Sequence, residues 1–192
     1  MSLADAELFE RSAAVRAEAQ TLLAEGGLLA CLREFGPTSV VGSFALDLMV
    51  RRDLDIYIRL DDDLDILRFF EIGAVIIRQF PVLKASYSNH FIRGLPEFDH
   101  GLYWGILIDY TGNPWKLDVW GHGPAHYAEH LAEFEHLQNA LANANRTAIL
   151  RIKDAVQGAT PSLDIYNAVI TANVQTIEDY YARGASQQQK SG

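Results

Sequence analysis

An alternating pattern of apolar and polar residues, placed shortly after a glycine turn, limits most strongly how this chain can fold. Residues 40–41 end a short apolar stretch that reads as a buried strand, and Gly42-Ser43 interrupts it before a predicted short helix over 44–50. From 53 to 60, apolar and polar side chains alternate with the period of two expected of a half-buried strand. The order strand, turn, short helix and strand predicts a sheet with helices packed on it.

Two features of this stretch suit a metal-bound phosphate group. Gly42 lets the backbone turn sharply, and the amides that open the following helix could face an anion. Asp53 and Asp55 lie two residues apart on one face of the strand, close enough to share a divalent cation, although a solvated strand face is the common alternative. Arg51 and Arg52 precede them and could either pair with phosphate oxygens or neutralise surface acids.

A third carboxylate is expected on a second alternating strand, over 115–120, with Asp118 at its centre. Asp109 competes with it, but Asp109 lies beside the turn at 111–114, where Asp commonly serves as a turn former. An acid in mid-strand between apolar neighbours needs a partner or a function, which favours Asp118. We expect 101–110 and 115–120 to form an antiparallel hairpin around that turn.

The order Gly-Ser, short gap, Asp-hydrophobic-Asp-hydrophobic and later single Asp resembles the nucleotidyltransferase superfamily of the DNA polymerase beta type. The run from Gly42 to Asp47 is also similar to the branch that contains the lincosamide and aminoglycoside nucleotidyltransferases. The chain departs from that branch at Ser43, where a second Gly is frequent. It also has Leu-Met-Val over 48–50, where many minimal nucleotidyltransferases have Arg, Ser and Gly. The resemblance spans residues 38 to 120.

This resemblance implies transfer of a nucleoside monophosphate from a nucleoside triphosphate, such as ATP, to an acceptor hydroxyl. It implies a two-metal mechanism in which three catalytic carboxylates bind Mg²⁺ or Mn²⁺, and it implies that four residues near the turn bind the nucleotide. The implied carboxylates are Asp53, Asp55 and Asp118, and the implied nucleotide-binding residues are Gly42, Ser43, Arg51 and Arg52. The acceptor would be a small molecule such as an antibiotic, or a protein or RNA. The alternative is a catalytically silent nucleotide-binding module or half of a toxin–antitoxin pair on the same fold.

The expected fold class is α/β (α+β): a small mixed β-sheet with packed helices over 1–122, followed by an all-helical segment over 123–184. The tail over 185–192 is polar and Gln-rich, and we expect it to be disordered. The apolar patterns predict helices and one further strand. The predicted helices are 4–25, 28–35, 64–80, 124–142, 145–156 and one from Ser162 or Asp164 to about 182, and the strand is 83–92. The acids at 61–63 are expected to form a loop and a helix cap.

Composition narrows the partners and the compartment. The chain has 192 residues, 49% of them hydrophobic, which suits one domain with a helical appendage. A net charge of −9 argues against a large nucleic acid or an anionic membrane, but not against a triphosphate that carries a metal ion. The single Cys31 cannot form an internal disulfide, the first residues lack a signal sequence, and no apolar run reaches 18 residues. We therefore expect a cytoplasmic protein without a membrane span.

Two further groups of residues have alternative interpretations. His122, His126 and His130 are spaced by four, so that a zinc site competes with a polar helix face near the cleft. Three later cations could each bind phosphate or lie on the solvated surface, and the surface is favoured for each alone; they are Arg146, Arg151 and Lys153.

Overall fold

The structure is a computed structural model in which residues 2–93 and 100–188 are described. The strands are β1 (Thr38–Val41), β2 (Asp53–Arg59), β3 (Val82–Asn89), β4 (Leu102–Tyr110) and β5 (Asn113–His122). The helices are α1 (Leu3–Ala24), α2 (Leu28–Arg33), α3 (Gly42–Ala45), α4 (Ile66–Gln79), α5 (His90–Arg93), α6 (Pro124–Leu141), α7 (Arg146–Val156), α8 (Ser162–Ala172) and α9 (Ile177–Gln188). None of the helices in the described ranges combines the length and the apolar character that crossing a bilayer would require.

The five strands form one mixed sheet in the order β1-β2-β5-β4-β3. Strands β2 and β5 are parallel, and every other neighbouring pair is antiparallel. The predicted hairpin is confirmed as β4 and β5. Its turn is made by Thr111 and Gly112, both of which have positive φ angles, as a tight hairpin turn requires. The mixed sheet, the packed helices and the helical C-terminal segment confirm the predicted fold class.

The sheet buries one face against helices and leaves the other for a cleft. On the buried face, the apolar side chains of β2, β4 and β5 pack against α1, α2 and α4; examples are Leu54, Ile56, Ile106 and Leu117. A second apolar cluster joins α7 and α8 to Leu8 of α1 and to Leu48. Helix α1 therefore contributes to both clusters, and the division between 122 and 123 stays a prediction.

The helix that follows the Gly-Ser turn is shorter than predicted. It ends at Ala45 rather than near residue 50, because Asp47 has a left-handed backbone conformation with φ 56° that a helix cannot contain. Arg146 of α7 stabilises this conformation by donating to both the carbonyl and the carboxylate of Asp47, each at 2.8 Å. The turn is thereby tied to the C-terminal helices.

Other element ends also differ from the prediction. The predicted single helix from 162 to about 182 is two helices, because Asn173, with φ 50°, ends α8. Helix α9 reaches Gln188, so 185–188 is helical although the tail over 185–192 was predicted to be disordered, and 189–192 lies outside the described residues. Strand β3 ends at Asn89, and the cap of α4 is Asp65 instead of an acid at 61–63.

Candidate active site

A cleft of about 860 Å³ lies on the sheet face opposite the main core. Strands β2, β4 and β5 form its floor, and residues of α3, α6 and α8 border it. The predicted residues that line the cleft are Gly42, Ser43, Arg51, Asp53, Asp55 and Asp118. The cleft therefore brings together residues from the start of the predicted motif, at Gly42, and from its end, at Asp118.

The parallel pairing of β2 with β5 brings the carboxylates together. Asp55 and Asp118 are direct neighbours in the register, and Asp53 is the neighbour of Lys116. Adjacent strands lie about 4.8 Å apart, and residues of equal phase project from the same sheet face. Asp109 instead pairs with Pro114 at the closed end of the hairpin, so the structure brings Asp118 and not Asp109 to Asp55.

Gly42 is fitted closely against one of these carboxylates. Val41 is the register partner of Asp55, which places the next residue beside the Asp55 side chain. A Cβ atom on Gly42 would lie 2.0 Å from Oδ2 of Asp55, and the φ angle of Gly42 is +60°. Both the contact and the backbone conformation therefore exclude a side chain at Gly42.

The carboxylates are crowded and partly buried. The pKa of Asp55 is raised to about 7, first by burial and then by the charges of Asp53 and Asp118. Burial also raises the pKa of Asp53, and Oδ1 of Asp53 is buried without a hydrogen-bond partner among the described residues. Burial and like charge both disfavour the ionised form, and a bound cation would favour it.

These residues fit a divalent cation that is shared with a substrate. No three histidine, cysteine or acidic side chains of the described ranges are gathered as a complete ligand set. Mg²⁺, however, is usually held by one or two carboxylates while water and substrate phosphates supply its other ligands. Asp53 and Asp55, with crowded oxygens facing the cleft, match that pattern.

Asp118 already has two hydrogen-bond partners. The Tyr103 hydroxyl donates to Oδ1 at 2.6 Å, and the Lys116 ammonium donates to Oδ2 at 2.5 Å. Tyr103 lies across Gly105, where a Cβ atom would be 2.6 Å from the Tyr103 hydroxyl. Burial would lower the pKa of Lys116, but the bond to Asp118 and the neighbouring carboxylate charges outweigh burial and raise it. The sequence analysis identified neither Tyr103 nor Lys116 as a partner of Asp118.

Lys153 of α7 reaches the same site from behind the Gly-Ser turn. Only 4% of it is exposed, and its ammonium donates to Ser43 Oγ at 2.6 Å and to the Tyr166 hydroxyl at 2.9 Å. Burial lowers the pKa of Lys153 to about 8, against the opposing effect of the Asp55 charge. The surface interpretation of Lys153 is wrong. The missed signal is its position three residues before Val156, on the apolar face of the helix.

The arginines divide between the cleft and the outer surface. Arg51 lines the cleft, with its guanidinium 3.9 Å from Asp53. Arg52 turns toward α1 and makes two hydrogen bonds to Glu18, at 2.7 and 3.1 Å, so the structure does not bring Arg52 to the cleft. Arg151 is held outside the cleft by an ion pair in which its half-exposed guanidinium donates to the buried carboxylate of Asp5.

The three histidines do not form a zinc site. His126 interacts through Nδ1 with Asp63 Oδ2 at 2.8 Å, and His122 is fully buried with its Nδ1 bonded to the carbonyl of His100. The His122 and His130 rings are 4.5 Å apart. Among the described residues, no set of three possible ligands surrounds a common point. His126 and His130 do lie on helix α6, but His122 is a fully buried residue of strand β5, so the helix-face interpretation is wrong for His122.

No family model matches the chain, and no curated protein sequence does. Solved structures match it in fold. One is the poly(A) polymerase complex GLD-2–GLD-3, with a TM-score of 0.58 and 13% identity over 88% of this chain and 58% of that chain. Another is the Cid1 poly(U) polymerase with Mg and 3′-dATP bound, with a TM-score of 0.52 and 14% identity over 80% of this chain and 47% of that one.

The chain spans about half the length of these polymerase chains. At such identities the likeness concerns architecture only. The matched structures do not show that the chain belongs to the lincosamide and aminoglycoside branch. The sheet order, the position of the cleft and these matches agree on one conclusion. The chain has the nucleotidyltransferase fold of the poly(A) and poly(U) polymerases that it matches.

Proposed function

We propose that this protein transfers a nucleoside monophosphate from a nucleoside triphosphate to an acceptor hydroxyl and releases pyrophosphate. The observation that carries the proposal is the register that puts Asp55 beside Asp118 in a cleft, with Gly42 packed against Asp55. A strand carboxylate pair next to a glycine turn provides both parts that the reaction needs. The carboxylates would hold the divalent cation that neutralises phosphate charge, and the turn would position the triphosphate.

The three carboxylates divide two roles in this proposal. Asp53 and Asp55 would hold one Mg²⁺ or Mn²⁺ together with the triphosphate, and Asp118 would complete the site of a second ion near the acceptor, as in a two-metal mechanism. The bound metal supplies charge neutralisation and a lower pKa of the acceptor hydroxyl. Tyr103 positions Asp118 through its 2.6 Å hydrogen bond. The acceptor oxygen forms a bond to the α-phosphorus, the bond from that phosphorus to the β-phosphate oxygen breaks, and the hydroxyl proton passes to solvent.

The triphosphate would lie along the Gly42-Ser43 turn. Ser43 lines the cleft, and its hydroxyl is already oriented by the Lys153 ammonium. Lys153, with a pKa near 8, is mostly charged at pH 7 and lies close to where phosphate oxygens would bind. Arg51 adds a second positive charge at the cleft. Support for this arrangement is the convergence of these cations on the turn.

The acceptor we propose is a small molecule with a free hydroxyl, as in the lincosamide and aminoglycoside branch that the Gly42 to Asp47 run resembles. The two matched polymerases are named for poly(A) and poly(U), so an RNA end is the competing acceptor. The net charge of −9 opposes a long polyanion.

A specific contact favours a second candidate function, a catalytically silent nucleotide-binding or toxin–antitoxin module. Asp118 Oδ2 is bonded to the Lys116 ammonium, as it could be in a protein that no longer uses the carboxylate. The two candidates differ in whether a bound nucleotide is transferred to an acceptor. A melting experiment that detects metal and nucleotide binding, combined with a transfer assay, separates them.

The test compares wild type with Asp55→Asn, a nearly isosteric change that removes one charge. Asp109→Asn is the matched control, because it removes the same charge at the hairpin turn and keeps an oxygen for the Gly112 amide. With Mg²⁺ and triphosphate at a hundredfold excess over Kd, the wild type and the control should gain about 5 to 10 °C in Tm. Asp55→Asn should lose that gain and also lose transfer activity.

Without metal at pH 8, Asp55→Asn should be more stable than wild type by about 1 kcal/mol or more, because the crowded charge is gone. If Asp55→Asn keeps the full metal-dependent shift in Tm, then Asp55 is not a metal ligand and the proposed mechanism is wrong. A normal shift without turnover in the wild type would select the silent module.

A further inference from the structure

We propose that Lys116 is a tethered cation that substitutes for a divalent ion among the three carboxylates and has to be displaced when the metal binds. This inference rests on the proposed function, because it concerns how the same carboxylates accept a metal. It adds a competition within the chain that would set the metal affinity of the site.

The register explains how Lys116 reaches both strands of the carboxylate cluster. It is the direct neighbour of Asp53 across the β2–β5 pair, and it precedes Asp118 by two residues on the same sheet face. Its ammonium lies 2.5 Å from Asp118 Oδ2 and 3.8 Å from Asp53 Oδ1. One side chain therefore places a positive charge between two carboxylates of the cluster.

An ammonium group is an incomplete substitute for a metal ion. It carries one charge, and it donates hydrogen bonds where a divalent ion would bind several oxygens at about 2.1 Å. Oδ1 of Asp53 accordingly has no hydrogen-bond partner in the described ranges, despite the nearby ammonium. A divalent ion has twice the charge and can contact these oxygens directly, so it should displace Lys116.

Lys116 also has a route out of the cluster. About half of its side chain is exposed, at 51%, compared with 12% for that of Asp118. The flexible stem can therefore turn the ammonium into solvent while the strand stays in place. Displacement needs no rearrangement of the sheet.

The test is Lys116→Met, which keeps the length of the stem and removes the charge. Lys84→Met is the matched control. Lys84 pairs with Leu107, which pairs with Lys116, so Lys84 lies two strands away on the same sheet face, at about 9.6 Å. That variant makes the same change in net charge outside hydrogen-bonding reach of the carboxylates. Lys116→Gln, which is neutral but polar, serves as a second variant if the apolar one folds poorly.

The measurement is Mn²⁺ binding without nucleotide, followed by the loss of the free Mn²⁺ electron paramagnetic resonance signal. Lys116→Met should bind Mn²⁺ up to about fivefold more tightly than wild type, the range expected from removing a half-exposed ion pair. Its Tm without metal should be lower than that of wild type, and the difference should shrink at saturating Mn²⁺. Lys84→Met should behave like wild type in both measurements.

The outcomes separate the inference from the proposed function. Suppose that both Lys116 variants bind Mn²⁺ as weakly as wild type or more weakly, and that Asp55→Asn abolishes Mn²⁺ binding by the wild type. That result would overturn the inference about Lys116 and leave the proposed metal site in place. Mn²⁺ binding that Asp55→Asn leaves unchanged, in the wild type and in the Lys116 variants alike, would overturn both the inference and the proposed function. Tighter binding by Lys116→Met that is lost in the Lys116→Met, Asp55→Asn double variant would support the inference.

Discussion

Lys153 places a charge in a buried position, where Ser43 and Tyr166 accept its hydrogen bonds. Such a charge lowers stability and is usually kept where it has a function. Removing it by Lys153→Met should weaken Mg–triphosphate binding by about tenfold or more, the scale of one charge-assisted phosphate contact. The unfolding free energy without ligand should change little or rise, because Ser43 and Tyr166 can bond to each other across 3.4 Å.

The control for this prediction lies on the same helix. Arg151→Met breaks the ion pair with Asp5, away from the cleft, and should lower stability without changing nucleotide affinity. Both variants are compared by calorimetric titration with Mg–triphosphate. Nucleotide affinity that survives Lys153→Met would leave Lys153 with only a packing role.

His122 provides a prediction about pH. Burial, followed by the charge of His130, lowers the pKa of His122 from 6.5 to about 4 in the folded protein. Below pH 6.5 the unfolded chain takes up a proton that the folded protein accepts only near pH 4. The unfolding free energy should therefore have its full value above pH 6.5. It should fall by about 3 kcal/mol as the pH drops to 4.

The contribution of His122 is isolated with His122→Phe, which fills similar space and does not titrate. Urea unfolding between pH 4 and 7.5 should show a shallower loss of stability for this variant than for wild type. His136→Gln, at an exposed position of α6, should keep the wild-type slope. Parallel curves for wild type and His122→Phe would mean that His122 titrates normally in the fold.

At the scale of elements, Asp63 links the loop after β2 to the start of α6. Its Oδ1 accepts from the Gly123 amide at 2.6 Å, which is the N-cap position of α6, and its Oδ2 is bonded to His126. Leaving the buried Gly123 amide without its acceptor costs about 1 to 3 kcal/mol. Asp63→Ala should therefore lower the unfolding free energy by about 1 to 2 kcal/mol. Asp61→Ala, at an exposed position of the same loop, should change it by less than about 0.5 kcal/mol.

Chemical denaturation measures that difference, and amide exchange locates it. Faster exchange should be concentrated in the first turn of α6 in Asp63→Ala. An equal loss of stability in both alanine variants would show that loop charge, and not the Asp63 contacts with Gly123 and His126, is responsible.

Elements with a strong local signal could be predicted from the sequence. The alternation over Asp53 to Arg59 and the turn at 111–112 identified β2 and the β4–β5 hairpin because period and turn chemistry are local. The end of α8 could not be identified, since a single left-handed Asn173 decides it in an otherwise continuous apolar pattern. The short helix α3 ends for a similar reason, at Asp47.

The scale of the whole molecule determines which charged residues enter the cleft. Sequence spacing treated Arg52 and Arg51 alike, yet they separate because Glu18 of α1 lies beside only one of them. Lys153 follows the pair by about a hundred residues and reaches Ser43 only once α7 packs on α8. Contacts between distant segments carry this information, and no local pattern contains it. The carboxylate strands were predictable, and most of the surrounding cations were not.

Net charge is also a property of the whole molecule, and it bears on the acceptor. The chain has 25 acidic residues and 16 Lys and Arg, giving −9, and its cleft cations are few and local. A single-stranded RNA would meet repulsion beyond the cleft, whereas a compact hydroxyl compound would not. At physiological salt we expect no RNA binding in gel shift at micromolar protein and no extension of a labelled RNA 3′ end with any of the four nucleoside triphosphates.

Salt dependence distinguishes this expectation from a weak but real RNA acceptor. Electrostatic RNA binding strengthens steeply as salt is lowered, because each phosphate contact releases counterions. For this protein, lowering salt from 150 to about 50 mM should leave RNA retention unchanged, because the surface charge has the wrong sign. Transfer to a small hydroxyl compound should also vary little with salt, since few phosphates are involved. RNA extension that rises at low salt and is lost in Asp55→Asn would assign an RNA acceptor to this cleft, and the small-molecule proposal would be wrong.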